Sequence, residues 1–214
     1  MPYVYSPTFA QLLWPLVQLP LDAFLAVWVG LQLAAIGWLV TPLPAAVLVI
    51  LVPAVGLNNV WAGALYLPMA VALVLSLRWP SLWAFQVLTK VTPGVGSLWH
   101  AGRREWRSFA IAVGSTLAIA AASALIWPAA WVEWLGLLAD SAEMHGRSGT
   151  LAVPVPYRLP VAAAIVVLAG WRDWRWMLPV GVLLAMPQIG PSALVILLAI
   201  PRLTRSVSDA GQRL

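Results

Sequence analysis

The stretch from Arg78 to Arg107 (RWPSLWAFQVLTKVTPGVGSLWHAGRREWR) limits the possible folds more than any other part of this sequence. It is apolar, basic at both ends, and carries a lysine, Lys90, near its middle. Its apolar length would suffice for one straight span, which needs roughly 20 residues, but Pro93-Gly94 shortly after the lysine breaks helices. The sequence therefore predicts a hairpin of two short helices, Ser81–Thr89 and Val95–Ala101, whose tip carries Lys90.

Lys90 itself is unusual at this position. A lysine at membrane depth costs a few kcal/mol and is usually kept for a purpose such as binding an anionic partner. No aspartate or glutamate lies between Asp22 and Glu105, so the segment holds no local counter-charge. The alternative is a lysine that snorkels to a nearby interface.

The composition fits a membrane protein. Of the 214 residues, 62% are hydrophobic and only 9% are charged, a balance that excludes an ordinary soluble domain. The net charge of +5 does not indicate nucleic acid, because the basic residues form short clusters between apolar segments. The absence of cysteine excludes disulfides and thiolate sites. We expect no cofactor and no metal site; a single carboxylate-bound divalent cation stays an open alternative.

Three further segments are long and apolar enough to cross a bilayer as single helices: Leu21–Val40, Val60–Leu77 and Ser108–Trp127. Met177–Ile200 contains two prolines at its centre, Pro187 and Pro191, and is predicted to form a second broken hairpin. Val161–Gly170 is about half a span, so its helix would begin earlier, near Tyr157. We therefore predict an all-α, polytopic integral membrane protein in which the whole chain, 1–214, forms one transmembrane domain.

The two hairpins decide the predicted topology. They bring nine of the twelve basic residues to one side, namely Arg78, Arg103, Arg104, Arg107, Arg172, Arg175, Arg202, Arg205 and Arg213. Because cytoplasmic loops carry the excess of basic residues, we predict a multi-pass protein of the plasma membrane with a cytoplasmic tail over 202–214. Residues 1–20, an interfacial segment, and the polar loop 128–160 then lie on the outer face. Within that loop, tryptophans and leucines at helical spacing predict an interfacial helix over Ala129–Ala139.

Three short motifs resemble a known family. They are Tyr3-Val-Tyr5-Ser-Pro7, Leu57-Asn58-Asn59-Val60, and Lys90-Val-Thr-Pro93-Gly94 running into the basic turn at 103–107. Together they resemble elements of glycosyltransferase family 87, the polyprenol-phosphate-mannose-dependent mannosyltransferases of the GT-C superfamily. The resemblance implies a GT-C-like membrane enzyme that passes mannose or another hexose from a polyprenyl-phosphate donor to a lipid or cell-envelope acceptor.

The resemblance also implies that something is missing. The family's catalytic carboxylate lies upstream of the tyrosine motif, after a first transmembrane helix. We therefore expect this chain to correspond to a C-terminal portion that is inactive alone. It would be a fragment, the product of a misassigned start, or one half of a split protein whose partner chain supplies the missing part. A non-catalytic membrane subunit and a small-solute transporter stay as alternatives, since broken helices also build transporter sites.

Candidate site residues follow from the chemistry of glycosyl transfer, which needs a base and cations or donors at the leaving phosphate. For the lipid phosphate we predict Lys90 and Arg158, although Arg158 could equally anchor to headgroups. For the sugar or acceptor pocket the candidates are Tyr3, Tyr5, Asn58 and Asn59. The candidate catalytic groups within this chain are Asp140, Glu143 and His145. The alternative is that they are ordinary solvated residues of a charged loop.

Overall fold

The computed structural model describes residues 5–44, 47, 52–144 and 153–204, with the backbone alone for 54–55 and 140–144. Across these residues the regular elements are helical, without a β-strand. The α-helices are α1 (Pro7–Val17), α2 (Leu21–Val40), α3 (Asn58–Trp61), α4 (Tyr66–Ser76), α5 (Trp83–Thr89), α6 (Leu98–Gly102), α7 (Trp106–Ile126), α8 (Pro128–Met144), α9 (Val155–Arg172) and α10 (Met177–Ala185). A π-helical turn, Val52–Leu57, leads into α3, and a 3-10 helix over Pro191–Ala199 follows α10.

Two helices of the described part, α2 and α7, are long and apolar enough to cross a membrane. Most of their surface is exposed, including Leu117 at 64% and Ile126 at 76%. Exposed apolar surface of this extent is unfavourable in water and is covered in a bilayer. The predicted spans Leu21–Val40 and Ser108–Trp127 are therefore confirmed as helices, the second beginning two residues earlier than expected.

The prediction of one continuous span over Val60–Leu77 is wrong. Helix α3 ends at Trp61, and Gly63 then adopts a left-handed backbone conformation (φ 59°) that glycine tolerates best. The chain restarts as α4, whose 11 residues rise roughly 16 Å, too little for a core of roughly 30 Å. Instead, α4 is a central core helix, with Leu67, Met69 and Leu73 fully buried.

The first hairpin has the predicted break at Lys90. Its first arm is a 3-10 turn, Pro80–Leu82, followed by α5, and its second arm is a 3-10 helix, Thr92–Ser97, followed by α6. At the break Lys90 is extended (φ −145°, ψ 119°). The arms pack so closely that a Cβ at Gly96 would collide with the Trp83 ring. The prediction is confirmed, with the second arm beginning at Thr92.

The second half of the chain also follows the predicted breaks. Helix α10 ends at Ala185 and the 3-10 helix begins at Pro191, so the segment 177–200 is interrupted where expected. Helix α9 begins at Val155, slightly before the predicted start. The interfacial helix predicted within 128–160 is longer than expected, because α8 extends to Met144.

Ion pairs join the two hairpins at one end of the molecule. The Arg103 guanidinium contacts Glu105 beside it and Asp173 in the turn after α9, and Arg175 contacts the same Asp173 at 3.2 Å. The basic turns of both hairpins therefore lie together, as their predicted geometry requires. Which side of a membrane this end faces stays a prediction.

Candidate functional site

The tip of the first hairpin holds Lys90 against Tyr66. The ammonium nitrogen Nζ donates a hydrogen bond to the Tyr66 hydroxyl at 2.7 Å and lies 3.9 Å from the centroid of the ring. Tyr66 is the first residue of α4, directly after the break at Gly63. Two interruptions of the helical backbone therefore meet here, and each contributes one polar side chain.

The Lys90 ammonium has no nearby counter-charge in the part of the chain that the structure describes. The ion pairs recorded there involve His100, Arg103, Glu105, Asp173 and Arg175, all at the opposite end of the hairpins. A partly buried cation without an anion is costly in an apolar environment. The tip of the hairpin is therefore electrostatically unbalanced and suited to an anionic ligand.

The N-terminal segment packs against the same tip. The Ser6 hydroxyl donates to the carbonyl of Leu88, and the Phe9 ring contacts Phe85 edge-on at 6.4 Å between centroids. This segment also places Tyr5 beside Phe9, with 5.3 Å between the ring centroids. Of the sequence-predicted residues, Tyr5 thus lies in the segment that packs against α5, the helix that ends just before Lys90. Tyr3 lies outside the described residues.

Sequence reasoning missed Tyr66 altogether. The residue stood within a segment interpreted as one continuous span, where a tyrosine near one end is ordinary. The signal that could have found it is Gly63, three residues earlier, since an isolated glycine can mark a helix end.

The two asparagines bind the second hairpin. Asn59 is fully buried and its amide nitrogen Nδ2 donates to the Ser192 carbonyl at 3.1 Å, while Asn58 Nδ2 lies 3.5 Å from the Ser192 hydroxyl. The Asn59 carbonyl accepts from the backbone of Ala64, two residues before Tyr66. These contacts connect the break before α4 to the start of the last 3-10 helix. A role in a sugar or acceptor pocket stays a prediction.

Arg158 is buried, 6% exposed, and its guanidinium faces backbone rather than an open site. Nη1 donates to the carbonyls of Leu184 and Met186 at 2.9 and 3.1 Å, and Nε donates to the Val153 carbonyl at 2.9 Å. The carbonyls of Leu184 and Met186 lie around the end of α10, where a helix leaves its last acceptors unpaired. The lipid-phosphate role of Arg158 stays a prediction, and its contacts with backbone carbonyls favour Lys90 as the phosphate ligand.

The predicted catalytic candidates lie near the end of α8. Asp140 and Glu143 belong to the last turns of that helix, but their side chains are outside the described part of the structure, as is all of His145. No group of three potential metal ligands occurs among the described residues.

At the basic end, a buried His100 pairs with a partly exposed Glu105. The His100 ring is 1% exposed and its Nδ1 lies 2.9 Å from a Glu105 carboxylate oxygen, so Nδ1 carries the proton and donates. Burial raises the pKa of the Glu105 carboxyl, but hydrogen bonds from Arg103 and His100 and their charges outweigh burial, so that pKa lies below its ordinary value. The pair anchors the turn between α6 and α7.

Exposed apolar helices, broken hairpins and an unbalanced cation at a helix break together define a membrane protein rather than a soluble one. The chain belongs to glycosyltransferase family 87, since the model of that family matches residues 3–205. That family is one of membrane glycosyltransferases. No match of significance was found among curated proteins or among solved structures.

Proposed function

We propose that this chain binds the donor of a membrane glycosyltransferase reaction, in which a mannosyl or related hexosyl group is transferred from a polyprenyl-phosphate sugar. The acceptor is a lipid-linked or cell-envelope hydroxyl. Lys90 binds the donor phosphate. Membership of family 87 favours this function over the transporter that broken helices would also permit.

The observation that carries the proposal is the isolated charge of Lys90. Its ammonium sits at a backbone break, half-buried against Tyr66, with no carboxylate recorded beside it in the described residues. Irregular backbone at membrane depth is tolerated where it lines protein or a wet cavity. A phosphate headgroup supplies the missing negative charge and accepts short, charge-assisted hydrogen bonds from an ammonium.

The chemistry gives that ammonium a role in the reaction itself. The acceptor oxygen attacks the anomeric carbon, the bond from that carbon to the phosphate oxygen breaks, and the phosphate leaves with an additional negative charge. A fixed cation at that oxygen stabilises the charge as it develops. The acceptor proton goes to a carboxylate base, for which Asp140 and Glu143 are the candidates of this chain; a partner chain is the alternative source.

An apolar cavity next to the hairpin suits the lipid part of such a donor. It has a volume of about 180 Å³ and lies between the first hairpin and α7, with Val87 and Trp83 on one wall and Val113 and Leu117 on the other. Val87 is three residues before Lys90, and Leu117 is 64% exposed on the membrane-facing surface of α7. In this proposal an isoprenoid chain lying in the bilayer enters the cavity beside α7, and its phosphate lies outside the cavity, at the break of the hairpin that carries Lys90.

The proposal is tested by donor binding to a variant without the charge. Lys90→Met keeps most of the stem and removes the ammonium, and we expect it to weaken binding of farnesyl-phosphate mannose at least tenfold, since hydrogen bonds to charged groups contribute about 1.5–3 kcal/mol. Arg78→Met is the matched control, because it removes a cation from the exposed base of the same hairpin. Equal affinity of Lys90→Met and the parent would refute the proposed function.

A further inference from the structure

We propose that Tyr66 is a second ligand of the donor phosphate, with its phenolic O–H donating to the phosphate that Lys90 binds. The identity of the anion, a donor phosphate, is taken from the proposed function. The presence of a second hydrogen-bond donor beside Lys90 is inferred from the geometry of Tyr66.

The argument begins with the direction of the hydrogen bond between the two side chains. A lysine ammonium has three donors and no acceptor, so the Tyr66 oxygen must accept in its 2.7 Å contact with Nζ. The phenolic proton must then point elsewhere. The contacts recorded for Tyr66 in the described residues include no acceptor for it.

Burial makes that unmet donor significant. Tyr66 is only 9% exposed as a residue, and the contact of its hydroxyl with Nζ is partly buried. A buried donor without an acceptor is destabilising, and native structures rarely leave one without a reason. Beside it, Lys90 keeps two further N–H donors and lacks an anion. A phosphate has several acceptor oxygens and a negative charge. It would therefore accept the hydrogen bond from the Tyr66 hydroxyl and neutralise the Lys90 ammonium.

The backbone at the start of α4 also favours an anion near Tyr66. Tyr66 is the first residue of α4, an 11-residue helix, so the positive end of the helix dipole lies at this point. Tyr66 also holds the ammonium in place through its ring face, 3.9 Å away.

The test compares farnesyl phosphate binding by the purified chain, in detergent, across single variants. Tyr66→Phe keeps the ring and removes the hydroxyl, and we expect about tenfold weaker binding. Tyr157→Phe is the matched control, because Tyr157 is 72% exposed, and it should bind as the parent does. Thermal midpoints without ligand establish that each variant is folded.

A second variant shows whether the Tyr66 hydroxyl donates to the phosphate or only holds the Lys90 ammonium in position. Replacing Tyr66 with 3-fluorotyrosine makes the phenol a stronger donor and a weaker acceptor, in mildly acidic buffer where it stays protonated. If Tyr66 donates to the phosphate, binding tightens; if it only accepts from Lys90, binding weakens, which overturns the inference. This variant also decides the matter if Tyr66→Phe does not fold.

The outcomes distinguish the inference from the proposed function. If Tyr66→Phe binds as the parent does while Lys90→Met is weakened, Tyr66 is not a ligand and the proposed function stands. If Lys90→Met binds as the parent does while Tyr66→Phe is weakened, the proposed role of Lys90 fails and Tyr66 stands as the anion ligand. Parent-like binding by both variants overturns both.

Discussion

The guanidinium of Arg158 donates to the carbonyl oxygen of Met186 at 3.1 Å, so the first turn of α9 supports the broken end of α10. A second bond from the same nitrogen reaches Leu184. Backbone carbonyls at a helix end need donors when they are buried. Arg158 provides them, which explains how the second hairpin can be interrupted inside the molecule.

Removing Arg158 should therefore cost stability rather than donor affinity. Arg158→Met leaves the carbonyls of Leu184 and Met186 without donors, and we expect a loss of about 2–5 kcal/mol from unsatisfied buried groups. The measurements are the thermal midpoint in detergent and farnesyl phosphate affinity. Unchanged stability together with lost phosphate binding would contradict this prediction and support the lipid-phosphate role for Arg158.

A glycine contact between α6 and α9 yields a second prediction. A Cβ at Gly170 would collide with the backbone carbonyl of Trp99, which cannot move as a flexible side chain could. We expect Gly170→Ala to destabilise the protein by about 1–3 kcal/mol, the usual cost of overpacking.

The control for that substitution is Gly114→Ala in α7. No atom lies within 4 Å of a Cβ built there, so the change should be neutral or stabilising by about 0.5–1 kcal/mol through helix propensity. Both variants are compared by thermal unfolding. Equal midpoints for the two would show that α6 and α9 are not in close contact.

The Glu105 carboxyl should make stability depend on pH in the acidic range. Because its folded-state pKa is below the ordinary value, the stability it contributes is complete above the unfolded pKa. That stability is lost as the pH falls through the lower folded pKa. The measurement is the thermal midpoint in a series of acidic buffers. As the pH falls, the midpoint of Glu105→Gln should decline less steeply than that of the parent. Glu133→Gln, which changes an exposed carboxylate, is the control and should follow the parent. Identical slopes for Glu105→Gln and the parent would contradict the assignment.

The predicted topology can be read with single cysteines, since the parent chain has none. Cysteines introduced at Ser148 and Ser206 should be labelled from opposite faces of the membrane by an impermeant maleimide. We expect this because the two predicted hairpins bring nine basic residues to one side, which would be the cytoplasmic side. Labelling of both from the same face would exclude the double-hairpin topology.

Local sequence signals predicted the breaks that proline creates. Pro93-Gly94 and the Pro187–Pro191 segment interrupt the structure close to the expected places, because proline lacks a backbone donor and here stands beside glycine or near a second proline. The break before α4 was missed, since Gly63 is tolerated within many helices and ends this one through its positive φ. A glycine in an apolar run does not reveal which conformation it will take.

Contacts between distant segments were beyond the sequence. The pairing of Lys90 with Tyr66 depends on two breaks meeting at one place, and the bonds of Arg158 depend on a helix end 26 to 28 residues later in the chain. Lys90 was identifiable because a charge within an apolar segment is conspicuous by itself. Its partner was not, because a tyrosine in such a segment is common.

The most direct test of the central claim uses the fact that Lys90 is the only lysine in the sequence. Lysine labelled with ¹⁵N at Nζ reports on this one site without assignment, and solid-state ¹⁵N–³¹P dipolar recoupling measures its distance to a phosphate. With farnesyl-phosphate mannose bound in lipid bilayers, a charge-assisted contact predicts strong dephasing and an N···P distance of about 3–4 Å. Saturating donor without dephasing at that nitrogen would contradict the assignment of Lys90 as the phosphate ligand.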